Sequence, residues 1–296
     1  MAFPYLPVSR RRWLCEFGLG CALLLLTLGC AGLEGPLIVR NHANQAGAAA
    51  VGAAGANSGG ATNYLAANIA WQVQLSGNFD PSVEASLYYV DLDNLSVEEL
   101  TALASSDRHL ACYLSAGSYE PWRADAAAFP PEVLGNSLAD YPDERWLDIR
   151  ASAVTTAMTA RVARLTASGC NSVVIANVTT SGEDSGFSVT VAEQNDYLAW
   201  LSQELHRKGL LAGLATADDR LTLMAPYFDW AYAQSCWANS RCSGYAPFVA
   251  AAKAVLAVEF GDEATAKALC QGVAGSGINL LVKPLDLGAH RIACAL

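Results

Sequence analysis

Two kinds of side chain in this chain could do chemistry: carboxylates near the ends of apolar runs, and the cysteines that follow the first thirty residues. Asp91 and Glu259 each lie near the end of an apolar, β-rich run, and Glu183-Asp184 and Asp218-Asp219 lie in polar stretches after such runs. A pair of these acids facing one another would supply general acid and base catalysis, worth roughly 100- to 10,000-fold per group. Each also has a plain structural reading. Asp93 to Ser96 reads as a turn and helix entry, Asp218-Asp219 suits the positive end of a following helix, and Glu183-Asp184 is a solvated, Gly-flanked loop. Asp91 and Glu259 are therefore the better candidates, and either could equally be a structural hydrogen-bond acceptor.

Six cysteines remain beyond residue 30, namely Cys112, Cys170, Cys236, Cys242, Cys270 and Cys294. Cys236 and Cys242 bracket a short polar loop, and Cys270 and Cys294 bracket the C-terminal segment, so both pairs are expected as disulfides in an oxidising compartment. Cys112 and Cys170 lie in apolar strand-like runs and read as buried thiols rather than as a third bridge. The cysteines lack a close Cys-x-x-Cys pair and the four histidines are scattered, so a zinc site is not expected. His109 and His206, near element ends, are expected to be solvated.

The segment Ser115 to Arg123 is the richest in ligand-binding types. Ser115, Gly117 and Ser118 let a backbone approach a ligand, Tyr119 and Trp122 offer flat faces for stacking on sugar rings, and Arg123 can donate hydrogen bonds. The competing reading is that this loop plugs the end of the fold and buries its aromatics. Trp71, Trp146 and Trp230, inside apolar runs, are expected in the core.

Eight short apolar runs alternate with stretches of helical period: Trp71 to Leu75, Leu87 to Leu92, Leu110 to Leu114, Trp146 to Ile149, Ser172 to Val178, Leu211 to Ala215, Trp230 to Gln234 and Ala254 to Phe260. Eight βα units predict a single (β/α)8 TIM barrel; a doubly wound open sheet is the runner-up, disfavoured because no Gly-rich dinucleotide fingerprint follows the first run. Ser96 with Glu99, and Thr190 with Glu193, have capping-box spacing, and the second helix is expected to stop at Lys208-Gly209. In such a barrel the chemistry lies where strands end at the carboxyl face. The run ending Ala176-Asn177 supplies no acid there, and the run ending Ala233-Gln234 supplies an amide.

Before the barrel, residues 1–30 combine Arg10-Arg11-Arg12, an apolar run from Phe17 to Gly29 and Gly29-Cys30-Ala31, the pattern of an export signal. Cys30 resembles a lipoprotein cleavage and lipidation site, which would tether the chain to a membrane, although Thr27 departs from that pattern. Ser9-Arg10-Arg11 also resembles a twin-arginine signal, and simple secretion or an uncleaved anchor are the alternatives. Residues 31–63, rich in Ala, Gly and Asn, read as a flexible tether, and residues 64–296 as the barrel. The chain is expected as a monomer in the bacterial cell envelope. A net charge of −10, with no basic cluster beyond the leader, argues against a nucleic-acid partner.

Trp71-Gln72-Val73-Gln74-Leu75-Ser76-Gly77, the stretch from Cys112 to Arg123, Glu144-Arg145-Trp146-Leu147-Asp148-Ile149-Arg150, Gly169-Cys170 and Gly186-Phe187 resemble glycoside hydrolase family 114, the endo-α-1,4-polygalactosaminidases. The resemblance implies an eight-stranded barrel acting on galactosamine-rich exopolysaccharide, without metal or organic cofactor, with catalytic acids on the fifth and seventh strands. This chain departs from the family there. Val174-Ile175-Ala176-Asn177 stands where the family has Glu-Pro-Asp-Asn, and Ala233-Gln234-Ser235-Cys236 where it has Asn-Glu-Gln-Cys. Tyr89 replaces an expected Asp, and Ala215-Thr216-Ala217 replaces Lys-Asn-Asp. The expectation is a non-catalytic relative that keeps a glycan-binding mouth of Ser115, Gly117, Ser118, Tyr119, Trp122, Arg123, Asn177 and Gln234. The alternatives are a glycosidase using relocated acids, Asp91 and Glu259, and a protein-interaction scaffold marked by apolar residues such as Val174 exposed at the rim.

Overall fold

The computed structural model describes residue 65, residues 67–215 and residues 220–294. The leader with Cys30, the tether 31–63 and residues 216–219, with the pair Asp218-Asp219, lie outside the described residues. Eight parallel strands follow one another around a curled sheet in sequence order: β1 Trp71–Gln74, β2 Leu87–Val90, β3 His109–Ser115, β4 Ser172–Ala176, β5 Leu211–Ala215, β6 Trp230–Gln234, β7 Val255–Phe260 and β8 Ile278–Lys283. A short antiparallel strand, Ile292–Ala293, extends the sheet beyond β8. The architecture is that of a (β/α)8 barrel, as expected.

Its seam lies between β1 and β8, where no strand ladder forms. Side chains and the segment after β8 join the two instead. The Leu75 amide donates to the Leu287 carbonyl at 3.0 Å, and the Gln72 side chain donates to Ala289 O at 2.6 Å. Asn279 of β8 donates to the carbonyls of Ala67 and Ile69. The ammonium of Lys283, fully buried, donates to Gln72 Oε1, Val73 O and Gly288 O at 3.0, 2.6 and 2.7 Å, so that its three protons meet three acceptors.

Alternation of side chains divides the core. Trp71 and Val73, Leu87 and Tyr89, Val174, Trp230 and Tyr232, Leu256 and Val258, and Leu281 form one buried cluster inside the barrel. Their neighbours of opposite parity, such as Tyr88, Cys112, Val173 and Ile175, pack outward with the helices. Gly213 on β5 is required by this packing: a Cβ there would lie 2.5 Å from the Trp230 ring.

The helices are α1 Val97–Ala104, α2 Ser152–Ala167, α3 Val191–Arg207, α4 Leu221–Met224, α5 Ala246–Ala250 and α6 Glu263–Val273. Both predicted capping boxes form, Ser96 with Glu99 and Thr190 with Glu193, and α3 ends at Lys208 with Gly209 at φ +75°.

Two corrections apply to the strands: one predicted run lies outside the barrel, and one barrel strand, β8, was not among the predicted runs. Trp146 to Ile149 is not a barrel strand. Arg145–Leu147 belongs to a small antiparallel sheet with Ser118–Tyr119 and Leu134–Ser137, formed by the long excursion between β3 and α2. Its residues are apolar because the excursion packs on the barrel: Trp146, Leu147 and Ile149 are all buried. The remaining barrel strand is β8, so the runs ending at Ala176 and Gln234 are the fourth and sixth strands, not the fifth and seventh.

All six cysteines are bridged, as Cys112–Cys170, Cys236–Cys242 and Cys270–Cys294. The last two pairs were expected. The first corrects the reading of Cys112 and Cys170 as buried thiols: Cys112 on β3 is in register with Val173 on the adjacent β4, which places Cys170, just before β4, within reach. His109 is also corrected. It is half-buried rather than solvated: its Nε2 is 2.9 Å from Ser172 Oγ, and burial pushes its imidazole down to about 4. His206, as expected, lies at an exposed helix end, where it pairs with Asp229 at 2.8 Å.

Candidate functional site

A cavity of about 150 Å³ opens at the carboxyl ends of the strands. β4 supplies Ala176 and the following Asn177, β5 supplies Ala215, β6 supplies Tyr232 and Gln234, and β7 supplies Phe260. Tyr89 and Tyr113 come from β2 and β3, Tyr141 and Glu144 from the excursion, and Leu75, Leu285 and Leu287 from the loops at the seam. The residues just after the two strand ends are in left-handed backbone conformation, Asn177 at φ +57° and Ser235 at φ +54°. Asn tolerates this region; for Ser it costs on the order of 1 kcal/mol. Left-handed backbone thus follows directly after the strand ends where the resemblance places the catalytic acids, and the strand-end side chains are Ala176 and Gln234.

The one carboxylate among the described lining residues is Glu144, which the sequence reading named only within the stretch Glu144 to Arg150 and not as a site residue. Its Oε2 accepts from Ser118 Oγ at 2.6 Å and lies 3.3 Å from Asn177 Nδ2. The same Asn177 amide nitrogen is 2.9 Å from Ser118 Oγ and 3.1 Å from both Ser115 Oγ and Tyr113 OH. Ser115 and Ser118 therefore do not line the cavity; they hold Asn177 and Glu144 from behind. Burial, then the negative charge of Glu120, pushes Glu144 up to about 7, against the Ser118 hydrogen bond and the Arg123 charge. Gly117 is needed for the close approach of this loop to β4, since a Cβ would meet Asn177 O at 2.0 Å.

Arg123 is committed elsewhere. Its guanidinium donates to both oxygens of Asp91 at 2.8 Å, to Asp93 at 2.6 Å and to Glu120 at 2.6 Å, and its plane lies 5.5 Å from the centre of the Tyr113 ring. Asp91 is thus the bidentate partner of a buried arginine rather than a lining acid. Glu259 points away from the cavity, because it alternates with the inward-facing Val258 and Phe260; it accepts the amides of Trp237 and Ala238 at 2.8 and 3.3 Å and holds the loop after β6. Tyr119 packs edge-on against Phe129, and Trp122, half exposed, is outside the cavity lining. Of the expected ligand residues, the structure brings Asn177 and Gln234 to the cavity. Val174, the marker for a protein-contact rim, is fully buried.

The residues missed from sequence are Glu144, Tyr113, Tyr141, Tyr232 and Phe260. Period-2 parity was an available signal for three of them: Tyr232 shares a face with Trp230, Phe260 with Val258 and Tyr113 with Ala111. Glu144 and Tyr141 had no such signal, since the fold of the excursion places them.

A profile of the glycoside-hydrolase family GH114 matches residues 52–296. Among solved structures, Ega3 of Aspergillus fumigatus in complex with galactosamine is similar with a TM-score of 0.73 and 29% identity, over 81% of this chain and 100% of that one. The glycoside hydrolase domain of PelA from Pseudomonas aeruginosa shares the fold with a TM-score of 0.61 and 14% identity, over 76% of this chain and 98% of that one. No curated protein matches the sequence.

Proposed function

Since this chain belongs to glycoside hydrolase family GH114, we propose that it is an exported member that binds an amino-sugar polymer without cleaving it. The observation that carries this reading is the identity of the two strand-end residues in the cavity, Ala176 on β4 and Gln234 on β6. Glycoside hydrolysis needs one carboxyl group to protonate the leaving oxygen and another to attack or to activate water, roughly 5 to 9.5 Å apart across the cleft. Neither Ala nor Gln can do either. Among the described residues Glu144 is the single acid lining the cavity, and Asp91 and Glu259 are engaged by Arg123 and by backbone amides.

The ligand class follows from membership of the family and from the galactosamine bound to Ega3. Export is supported by three disulfides, which persist in oxidising compartments. Lipidation at Cys30, with residues 31–63 as a tether to the envelope, completes the reading. Mass spectrometry of the native N-terminus tests that part: an intact chain with unmodified Cys30 ends it.

The functional test is incubation of the purified protein with de-N-acetylated galactosamine polymer, scoring retention on the polymer and release of reducing ends. Retention without release is the expected outcome. One observation favours a second reading, a glycosidase with relocated acids, because Glu144 is held near 7 inside the cavity as a general acid would be. Release that disappears in Glu144→Gln would replace the first reading by that one.

A further inference from the structure

The cavity has an uneven chemical make-up. Among the described residues five aromatic rings line it, Tyr89, Tyr113, Tyr141, Tyr232 and Phe260, with one carboxylate, Glu144, and two side-chain amides, Asn177 and Gln234. Two of the rings pack on one another, Tyr232 lying edge-on to Tyr89 at 5.1 Å and to Trp71 at 6.3 Å. Aromatic faces attract cations, by about 0.5–1 kcal/mol at exposed sites and about 2 when desolvated.

Glu144 is only 6% exposed, yet its hydrogen-bond partners are the neutral Ser118 and Asn177. Arg123, whose charge acts on it, is itself engaged by Asp91, Asp93 and Glu120. A buried carboxylate normally has a cationic partner or gives up its charge. Here the position opposite Glu144 is the cavity itself.

We propose that this cavity is a cation cage that receives an ammonium group, with Glu144 as counter-ion and the tyrosine and phenylalanine rings as its walls. The ammonium has two possible sources, the amine of an amino sugar, which rests on the function proposed above, or a free alkylammonium ligand, which does not. The cage also has a linkage signature. A bound cation favours the ionised form of Glu144, so binding releases a proton wherever the empty site is protonated. The groups around Glu144 are Ser118, Asn177, Tyr113 and Tyr141, with Glu120 raising and Arg123 lowering its proton affinity. With the empty-site carboxyl near 7, affinity for a cation that does not itself titrate rises about tenfold from pH 6 to pH 8.

The test is calorimetric titration of the full chain with tetramethylammonium, galactosamine and galactose, for the natural sequence at pH 6 and 8 and for Glu144→Gln at pH 8. Glu144→Gln keeps the shape of the site and removes the charge, and circular dichroism establishes that it is folded. The proposal expects tetramethylammonium to bind about tenfold tighter at pH 8 than at pH 6, and at least tenfold weaker in the variant. Galactosamine preferred over galactose identifies the amino-sugar source; equal or no binding of the two sugars, with tetramethylammonium still bound, identifies a free amine. Absence of tetramethylammonium binding, or binding indifferent to pH and to Glu144→Gln, overturns the cage. Galactose and galactosamine bound equally, without tetramethylammonium, overturns the cage and leaves glycan binding standing. The pH comparison uses the natural sequence alone, so it decides the matter even if the variant fails to fold.

Discussion

Replacing Arg123 by Met separates the two roles that its sequence allows. The guanidinium is 9% exposed and joins Asp91 and Glu120, whose side chains are 7% and 3% exposed. Met fills much of the same volume but leaves both carboxylates buried without a hydrogen-bonded cation. Asp93 keeps Arg164 at 2.7 Å and is not orphaned. Breaking a buried ion pair from one side costs about 3–5 kcal/mol, and that range is the expected loss at pH 7. Orphaned buried acids have carboxyl pKa values raised above their unfolded values, so the folded variant binds more protons than the unfolded chain and its deficit grows as pH rises. Near pH 4, where the acids can be neutral, the deficit should shrink to the lost hydrogen bonds, about 1–2 kcal/mol. Urea unfolding followed by circular dichroism at pH 4 and pH 7 measures both values. A deficit below about 1 kcal/mol at pH 7, or one equal at the two pH values, refutes the assignment of Arg123 as a staple of the loop. An Arg123→Met protein of undiminished stability that no longer retains glycan would return Arg123 to the ligand-binding role.

Other outcomes follow from the same structure. Removing the Cys112–Cys170 bridge with paired serines opens a loop of 58 residues and should cost about 4 kcal/mol in the chain-entropy account, read as a lower urea midpoint. His109 is held down to about 4 against 6.5, so the unfolded chain binds more protons between those values. Stability should therefore fall as pH drops through that window, by up to about 3 kcal/mol more in the natural sequence than in His109→Gln. Tyr197 donates to the Ala116 carbonyl at 2.6 Å in the core, and Tyr197→Phe should lose about 1–3 kcal/mol by orphaning that acceptor, measured by the same unfolding assay.

Much of this fold was legible because local signals and tertiary needs coincide. Ser96 with Glu99 and Thr190 with Glu193 mark helix starts whose side chains and amides close on each other without distant contacts. The barrel runs from Trp71 to Phe260 stood out because both of their faces are buried, outside among helices and inside among rings. β8 was missed for the converse reason. Asn279 and Lys283 interrupt its apolar run, and they do so because the seam with β1 is closed by side chains rather than by a ladder. Trp146 to Ile149 was mistaken for a strand of the barrel because covering a barrel and forming one demand the same apolar residues. The site was half legible: Ala176, Asn177 and Gln234 follow from strand ends, whereas Glu144 depends on how residues 116–151 fold over the mouth, and no period records that. Arg123 and Asp91 look like ligand groups singly; their mutual engagement is visible only in three dimensions.

The central claim is that loss of the two strand-end acids has removed hydrolysis while leaving the mouth able to hold its ligand. Its most direct test compares the natural protein with the double variant Ala176→Asp/Gln234→Glu for release of reducing ends from de-N-acetylated galactosamine polymer, with retention on the polymer measured in parallel. Retention without release is expected for the natural protein, and release for the variant. Release by the natural protein at a rate equal to or above that of the variant would contradict the claim.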